Sequence, residues 1–109
     1  MAHDILYVNP QSELQPYVMN FAEDLPDDTA LSDIGSGSTI TAYSSAGTDV
    51  SATILSSKAR TNMTLTVKIG AVTDFEEYRI EFVGKGATTA NIFTKELEVR
   101  ARKTIQGGF

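Results

Sequence analysis

The sequence contains no cysteine, no tryptophan and one histidine, His3. Without cysteine there is no disulfide, no thiolate metal site and no thiol nucleophile. A single histidine has no second Cys or His with which to share a metal, and no nucleophile is marked for it to activate. Serines are abundant, but no Gly-x-Ser-x-Gly elbow occurs; Gly35-Ser36-Gly37-Ser38 has the wrong spacing. Gly84-Lys85-Gly86 lacks the upstream glycine and the following Ser or Thr of a phosphate loop, and reads as a hairpin turn. Glu76, Glu77 and Glu81 have no apolar surroundings that would raise a carboxyl pKa, so they read as a solvated strand face. These absences predict no catalytic residues, no enzyme and no cofactor.

Long apolar runs are also missing. Nothing approaches the ~20 residues of a membrane span. Residues 1–20 have neither a basic start nor an unbroken apolar segment, so the expectation is a soluble chain without a leader or a membrane partner. Asn62-Met63-Thr64 matches a glycosylation sequon by chance in that setting. Basic residues are absent from residues 1–55, which carry −8, whereas residues 56–109 carry +3, for a net −5. That balance argues against nucleic acid as a partner. The asymmetry could steer copies to dock acidic half against basic half, or the halves could interleave in the fold.

What the chain does contain is period-2 alternation. Leu65, Val67 and Ile69 form one apolar row, and Tyr78, Ile80 and Phe82 a second. Phe93, Leu97, Val99 and Ala101 form a third, opposite Glu96, Glu98, Arg100 and Arg102. Alternation of this kind marks strands with one buried face. Gln15 to Leu25 reads as the first core strand, with Tyr17, Met19 and Phe21 inward and Pro16 at its beginning. Thr39–Tyr43 reads as a short strand and Val50, Ala52 and Ile54 as the next inward row, followed by a polar connection over 56–62. Asp74-Phe75-Glu76-Glu77 is the one place that admits a helical turn. Turns every 8–12 residues predict an all-β fold: a single antiparallel β-sandwich of about seven strands over 14–103. An extended N-terminal arm occupies 1–13 and a C-terminal tail 104–109.

Within the arm, Asp4-Ile5-Leu6-Tyr7-Val8 has strand character that Asn9-Pro10 ends. It could pair with this domain's sheet edge, add to a neighbour's, or fray. Ile5 and Tyr7 are therefore candidate partner-binding residues, together with the outward row Arg100, Arg102 and Lys103 on the closing strand, taken as a docking edge. The acidic stretch Glu23, Asp24, Asp27, Asp28 and Asp33 is a polar turn; as a calcium site it lacks the alternating Asp/Asn spacing, the Gly and the terminal Glu.

Met19-Asn20-Phe21-Ala22-Glu23-Asp24-Leu25-Pro26-Asp27-Asp28-Thr29-Ala30-Leu31, the run from Leu65 to Gly70, Tyr78-Arg79-Ile80 and Lys95 to Arg102 together resemble an immunoglobulin-like domain of tailed-bacteriophage and prophage structural proteins. Asn20 and Asp74-Phe75 depart from the family pattern. The resemblance implies an immunoglobulin-like sandwich in a non-enzymatic virion protein, made in the bacterial cytoplasm. Its expected place is a capsid decoration or a head-, neck- or tail-associated position, in many copies or as a homo-oligomer among other virion proteins. The alternative is a carbohydrate-binding or adhesion module of a bacterial surface protein, for which Tyr7, Tyr17, Tyr43 and Phe75 are the available aromatic platforms.

Overall fold

The computed structural model describes residues 4–10 and 14–102. Seven strands and one helical turn follow in order: β1 Asp4–Val8, β2 Gln15–Asn20, β3 Thr39–Ser44, α1 Ser51–Ile54, β4 Leu55–Thr61, β5 Thr64–Ile69, β6 Glu77–Lys85 and β7 Ile92–Ala101. They form a four-stranded sheet in the order β1-β7-β6-β3 and a three-stranded sheet in the order β2-β5-β4.

The apolar rows read from alternation meet between the sheets. Phe21, Leu65, Ile69, Ile80, Phe82, Leu97 and Val99 are completely or almost completely buried. Each such side chain leaves water on folding, and a buried aliphatic or aromatic group contributes about 1.5–3 kcal/mol. The alternation therefore decides which face of each strand turns inward.

The order matches the immunoglobulin arrangement. In that fold strands B, E and D share one sheet and C, F and G the other. Here β2-β5-β4 occupies the first set and β3, β6 and β7 the second, while β1 lies alongside β7. Tyr78, at the start of β6, accepts a hydrogen bond at its hydroxyl from the Thr73 N–H at 3.0 Å. Its position and bond are like those of the corner tyrosine of such sandwiches. Ile80, two residues on, stands where disulfide-bridged members carry their second cysteine.

Four details differ from the sequence expectations. First, of the three outcomes open to residues 4–8, pairing with the domain's own sheet is the one found, and the ladder with β7, from Asp4↔Leu97 to Val8↔Ala101, is parallel, so the sandwich is not wholly antiparallel. Second, residues 51–54 make a helical turn, and of Val50, Ala52 and Ile54 only Ile54 is buried. The Asp49 carboxylate accepts from the Ser51 N–H, and the Val50 carbonyl accepts from Thr53 and Ile54, which closes a turn where a strand was expected. The strand runs instead through the polar stretch 55–61.

Third, Asp74-Phe75 forms a turn and no helix. Phe75 has φ +68°, and its N–H donates to the Ala101 carbonyl at 2.8 Å, which breaks any helical continuation. Fourth, β6 runs through Lys85, paired to Ile92, so the hairpin turn lies over 86–91 rather than at Gly84-Lys85-Gly86.

That turn is held by the acidic stretch. The Asp28 carboxylate accepts from the N–H groups of Thr88 and Thr89 at 2.9 and 3.0 Å and from the Thr89 hydroxyl at 2.6 Å. The Thr89 hydroxyl, then the backbone donors, hold the Asp28 carboxyl below the usual carboxylate range. Gly86 passes so close that a Cβ there would lie 2.1 Å from Asp28 Oδ2. Asp24 pairs with Lys95 at 2.8 Å, and Asp33 with Arg60. Asp24, Asp28 and Asp33 are thus dispersed onto separate intrachain partners, and among the described residues no three acidic or histidine side chains converge as a metal site requires.

Candidate functional site: the outer face of the four-stranded sheet

Strand parity fixes what this face displays. Leu97, Val99 and Ala101 point inward, so Glu96, Glu98 and Arg100 point out; on β6 the outward set is Glu77, Arg79 and Glu81. Register then aligns them across the sheet. Ile5 lies beside Glu98, Glu98 beside Arg79, and Arg79 beside Tyr43. One row over, Tyr7 lies beside Arg100 and Arg100 beside Glu77. Opposite charges adjacent on neighbouring strands stabilise a sheet by a few tenths to about 1 kcal/mol per pair.

The arginines are held in place by carboxylates and rings together. Arg79 donates to Glu96 at 3.0 Å and lies 4.6 Å from the centre of the Tyr43 ring. Arg100 donates to Glu98 at 2.7 Å and to the Tyr7 hydroxyl at 3.3 Å. The Glu98 bond first, and then the Tyr7 bond, raise the Arg100 pKa above its already high ordinary value. Arg102 reaches Glu77 at 3.3 Å and stacks 5.7 Å from the centre of Phe75. Three guanidinium–aromatic pairs thus occupy one face, an interaction worth roughly 0.5–1 kcal/mol each at exposed sites.

Between β6, β7 and the end of β3 lies a shallow open cleft of about 290 Å³, lined by Ser44, Ser45, Glu77, Arg79, Glu96 and Glu98. Phe75 is 76% exposed and Tyr7 59%. The strain adds to the case for Phe75: a bulky aromatic at positive φ is uncommon, and such outliers concentrate at functional positions. Chemically, the face offers a grid of alternating charges and flat aromatic surfaces. Such a surface recognises by stacking and paired hydrogen bonds.

Four of the five partner-binding residues read from sequence, Ile5, Tyr7, Arg100 and Arg102, come together here, and Lys103 lies outside the described residues. Their setting differs from the expectation in one respect. β7 lies between β1 and β6, so Arg100 and Arg102 do not line a sheet edge and are already paired within the chain. The edge belongs to β1. Of the aromatic platforms, Tyr7, Tyr43 and Phe75 belong to this face, whereas Tyr17 packs toward Phe82 with ring centres 6.0 Å apart. Burial, and then the hydrogen bond from its hydroxyl to Asp4 at 2.7 Å, push the Tyr17 pKa up to about 12.

Arg79, Glu96 and Glu98 were not singled out from sequence as partner residues. Their outward parity was legible, but the strand order that makes them neighbours of Tyr43 and Ile5 was not. Among the described residues no helix is long and apolar enough to cross a membrane. Comparison of the chain with protein-family models, with curated proteins and with solved structures gives no match.

Proposed function

We propose that this chain is a non-enzymatic structural protein of a tailed-phage virion, a capsid decoration or a head-, neck- or tail-associated protein. It meets neighbouring virion subunits through the outer face of its four-stranded sheet. The observation that carries the docking part of this reading is the gathering of exposed Ile5, Tyr7 and Phe75 with Arg100 and Arg102 on one face. Aromatic residues and arginine are the side chains that most often dominate binding energy at interfaces. The virion setting is supported by the sequence resemblance along Tyr17–Arg102. Repetition of one weak patch over a symmetric lattice gives firm attachment without a large single interface.

Mass spectrometry of particles purified from the phage or lysogen that encodes this chain tests the setting. Stoichiometric peptides in the particles are the expected result, and their absence from intact particles contradicts it. Charge reversal by Arg100→Glu with Arg102→Glu then tests the face: occupancy of particles falls if the face docks and is unchanged if it does not.

The second reading is a carbohydrate-binding or adhesion module. It is favoured by one observation, the presence of Tyr7, Tyr43 and Phe75 on the same face, because sugars stack on aromatic rings. A glycan array on the purified chain that shows no binding removes it.

A further inference from the structure

The four sheet ends are not protected alike. An open strand edge exposes unpaired N–H and C=O groups, and proteins blunt it with proline, lysine, bulges or covering loops. The free side of β3 is covered: Ala42 donates its N–H to the Ser51 hydroxyl at 2.8 Å and accepts at its carbonyl from Val50 at 2.9 Å. β4 is bulged between Ser56 and Ala59, with Ser57 at φ +53° and Lys58 within the irregularity. β2 carries Pro16, and its Asn20 carbonyl accepts from Lys95 at 2.9 Å. Among the described residues, β1 has none of these devices. Asp4–Val8 is an unbroken five-residue strand without Pro, Gly, Lys or bulge.

The geometry also shows which groups face out. The Val8 carbonyl accepts from the Arg102 N–H at 3.0 Å, so Val8 bonds toward β7. In a parallel ladder both backbone groups of a residue point to the same neighbour, and successive residues alternate. Leu6 therefore also bonds toward β7, while Ile5 and Tyr7 direct their N–H and C=O groups away from the sheet. Their side chains are 46% and 59% exposed on the outer face.

We propose that this edge pairs with the same edge of a second copy of the chain, antiparallel about a two-fold axis through Leu6. In that register Ile5 of each copy lies opposite Tyr7 of the other. The outward N–H and C=O groups then exchange four hydrogen bonds, and two four-stranded sheets become one sheet of eight. The strand is self-complementary, as a two-fold interface requires. The exposed Ile5 and Tyr7 cover one another as β-branched–aromatic cross-strand pairs, a favourable combination. The one charge in β1, Asp4, falls opposite Val8 of the second copy rather than opposite its like, and its carboxylate is already turned to the Tyr17 hydroxyl. The inference does not rest on the virion reading and is tested on the isolated protein.

Sedimentation velocity and light scattering of the full chain over a concentration series are expected to show a monomer–dimer equilibrium. Ile5→Pro removes an N–H that β7 does not use, so the fold stays while the edge loses two of the four bonds. The dissociation constant is expected to rise at least about tenfold with an unchanged circular dichroism spectrum. Leu6→Cys gives the chain its only cysteine, placed on the two-fold axis at a non-hydrogen-bonded position. Cα atoms about 4.5 Å apart there fall within disulfide range. Mild oxidation is expected to yield a covalent dimer, while Val18→Cys, exposed on β2 and away from the axis, forms no disulfide-linked dimer under the same conditions. A wild-type chain that remains monomeric at every concentration overturns the proposal. So does a dimer that Ile5→Pro leaves intact, or one that the Leu6→Cys variant does not trap.

Discussion

The outer faces of the two sheets differ although their inner faces both build one apolar core. The four-stranded sheet turns Glu77, Arg79, Glu81, Glu96, Glu98 and Arg100 outward, with Tyr7 and Tyr43 among them. The three-stranded sheet turns out Val18 beside Thr66 and Ala59, and Asn20 beside Thr64 and Thr61, with Lys68 as the charge on β5. Threonine suits a solvated pleated surface without contributing specific recognition. The lesson is a division of labour: both sheets supply core, and one of them also carries chemistry on its outside. β1 belongs to the sheet that carries it.

The largest effects should show no difference between the sheets. Leu97→Ala and Leu65→Ala each empty a completely buried position, one per sheet, and each is expected to cost about 2–5 kcal/mol in denaturant unfolding. Two separate unfolding transitions, each shifted by only one of the variants, would mean that the sheets unfold separately and that the comparison starts from the wrong core. Next comes the turn under the four-stranded sheet. Asp28→Ala leaves the Thr88 and Thr89 amides without their acceptor, and should lower the melting temperature at neutral pH by on the order of 10 °C. Because the native Asp28 pKa is lowered, its contribution is present above the ordinary carboxylate value of about 4 and fades as pH falls toward the native value. The melting curves of wild type and variant should therefore converge in acid. A gap that persists unchanged would show that the carboxylate charge is not what holds the turn.

Smaller effects sharpen the comparison. Spectrophotometric titration should show Tyr17 ionising only near 12. Tyr17→Phe removes that late step, and Asp4→Asn brings it down. A raised native pKa stabilises the fold below the ordinary tyrosine value of about 10, and that contribution is lost as pH rises from 10 toward 12. A Tyr17 ionisation that Asp4→Asn leaves unchanged would mean that β1 is not anchored through Asp4. On the outer faces, Arg79→Ala is expected to cost about 0.5–1 kcal/mol through its carboxylates and the Tyr43 ring. Thr66→Ala on the other sheet should stay within about 0.5 kcal/mol. Equal costs would erase the distinction at the level of stability.

Sequence pattern carried much of this fold because burial follows period 2. The rows of Leu65, Tyr78 and Leu97 all found the core, and Tyr17, Met19 and Phe21 pointed as their parity required. The pattern failed where hydrogen bonds outweigh parity. Val50, Ala52 and Ile54 alternate like a strand, but Asp49 and Ser51 close a helical turn, and the strand forms from the polar residues after it. Asp28 looked like one more residue of a solvated turn because its partners, Thr88 and Thr89, lie about sixty positions away. The candidate face was half legible. Ile5, Tyr7, Arg100 and Arg102 were visible as exposed strand positions, but strand order alone brings Arg79 and Phe75 to them and makes β1, rather than β7, the edge.

The central claim is that encounters take place on the four-stranded sheet and its β1 edge. A dilution series followed by amide chemical shifts tests it residue by residue. Shifts are predicted to move with concentration at Ile5 and Tyr7, and at their neighbours Glu98 and Arg100, while Val18, Thr64 and Thr66 stay fixed. Movement confined to the three-stranded sheet, or no movement at any concentration, would contradict it.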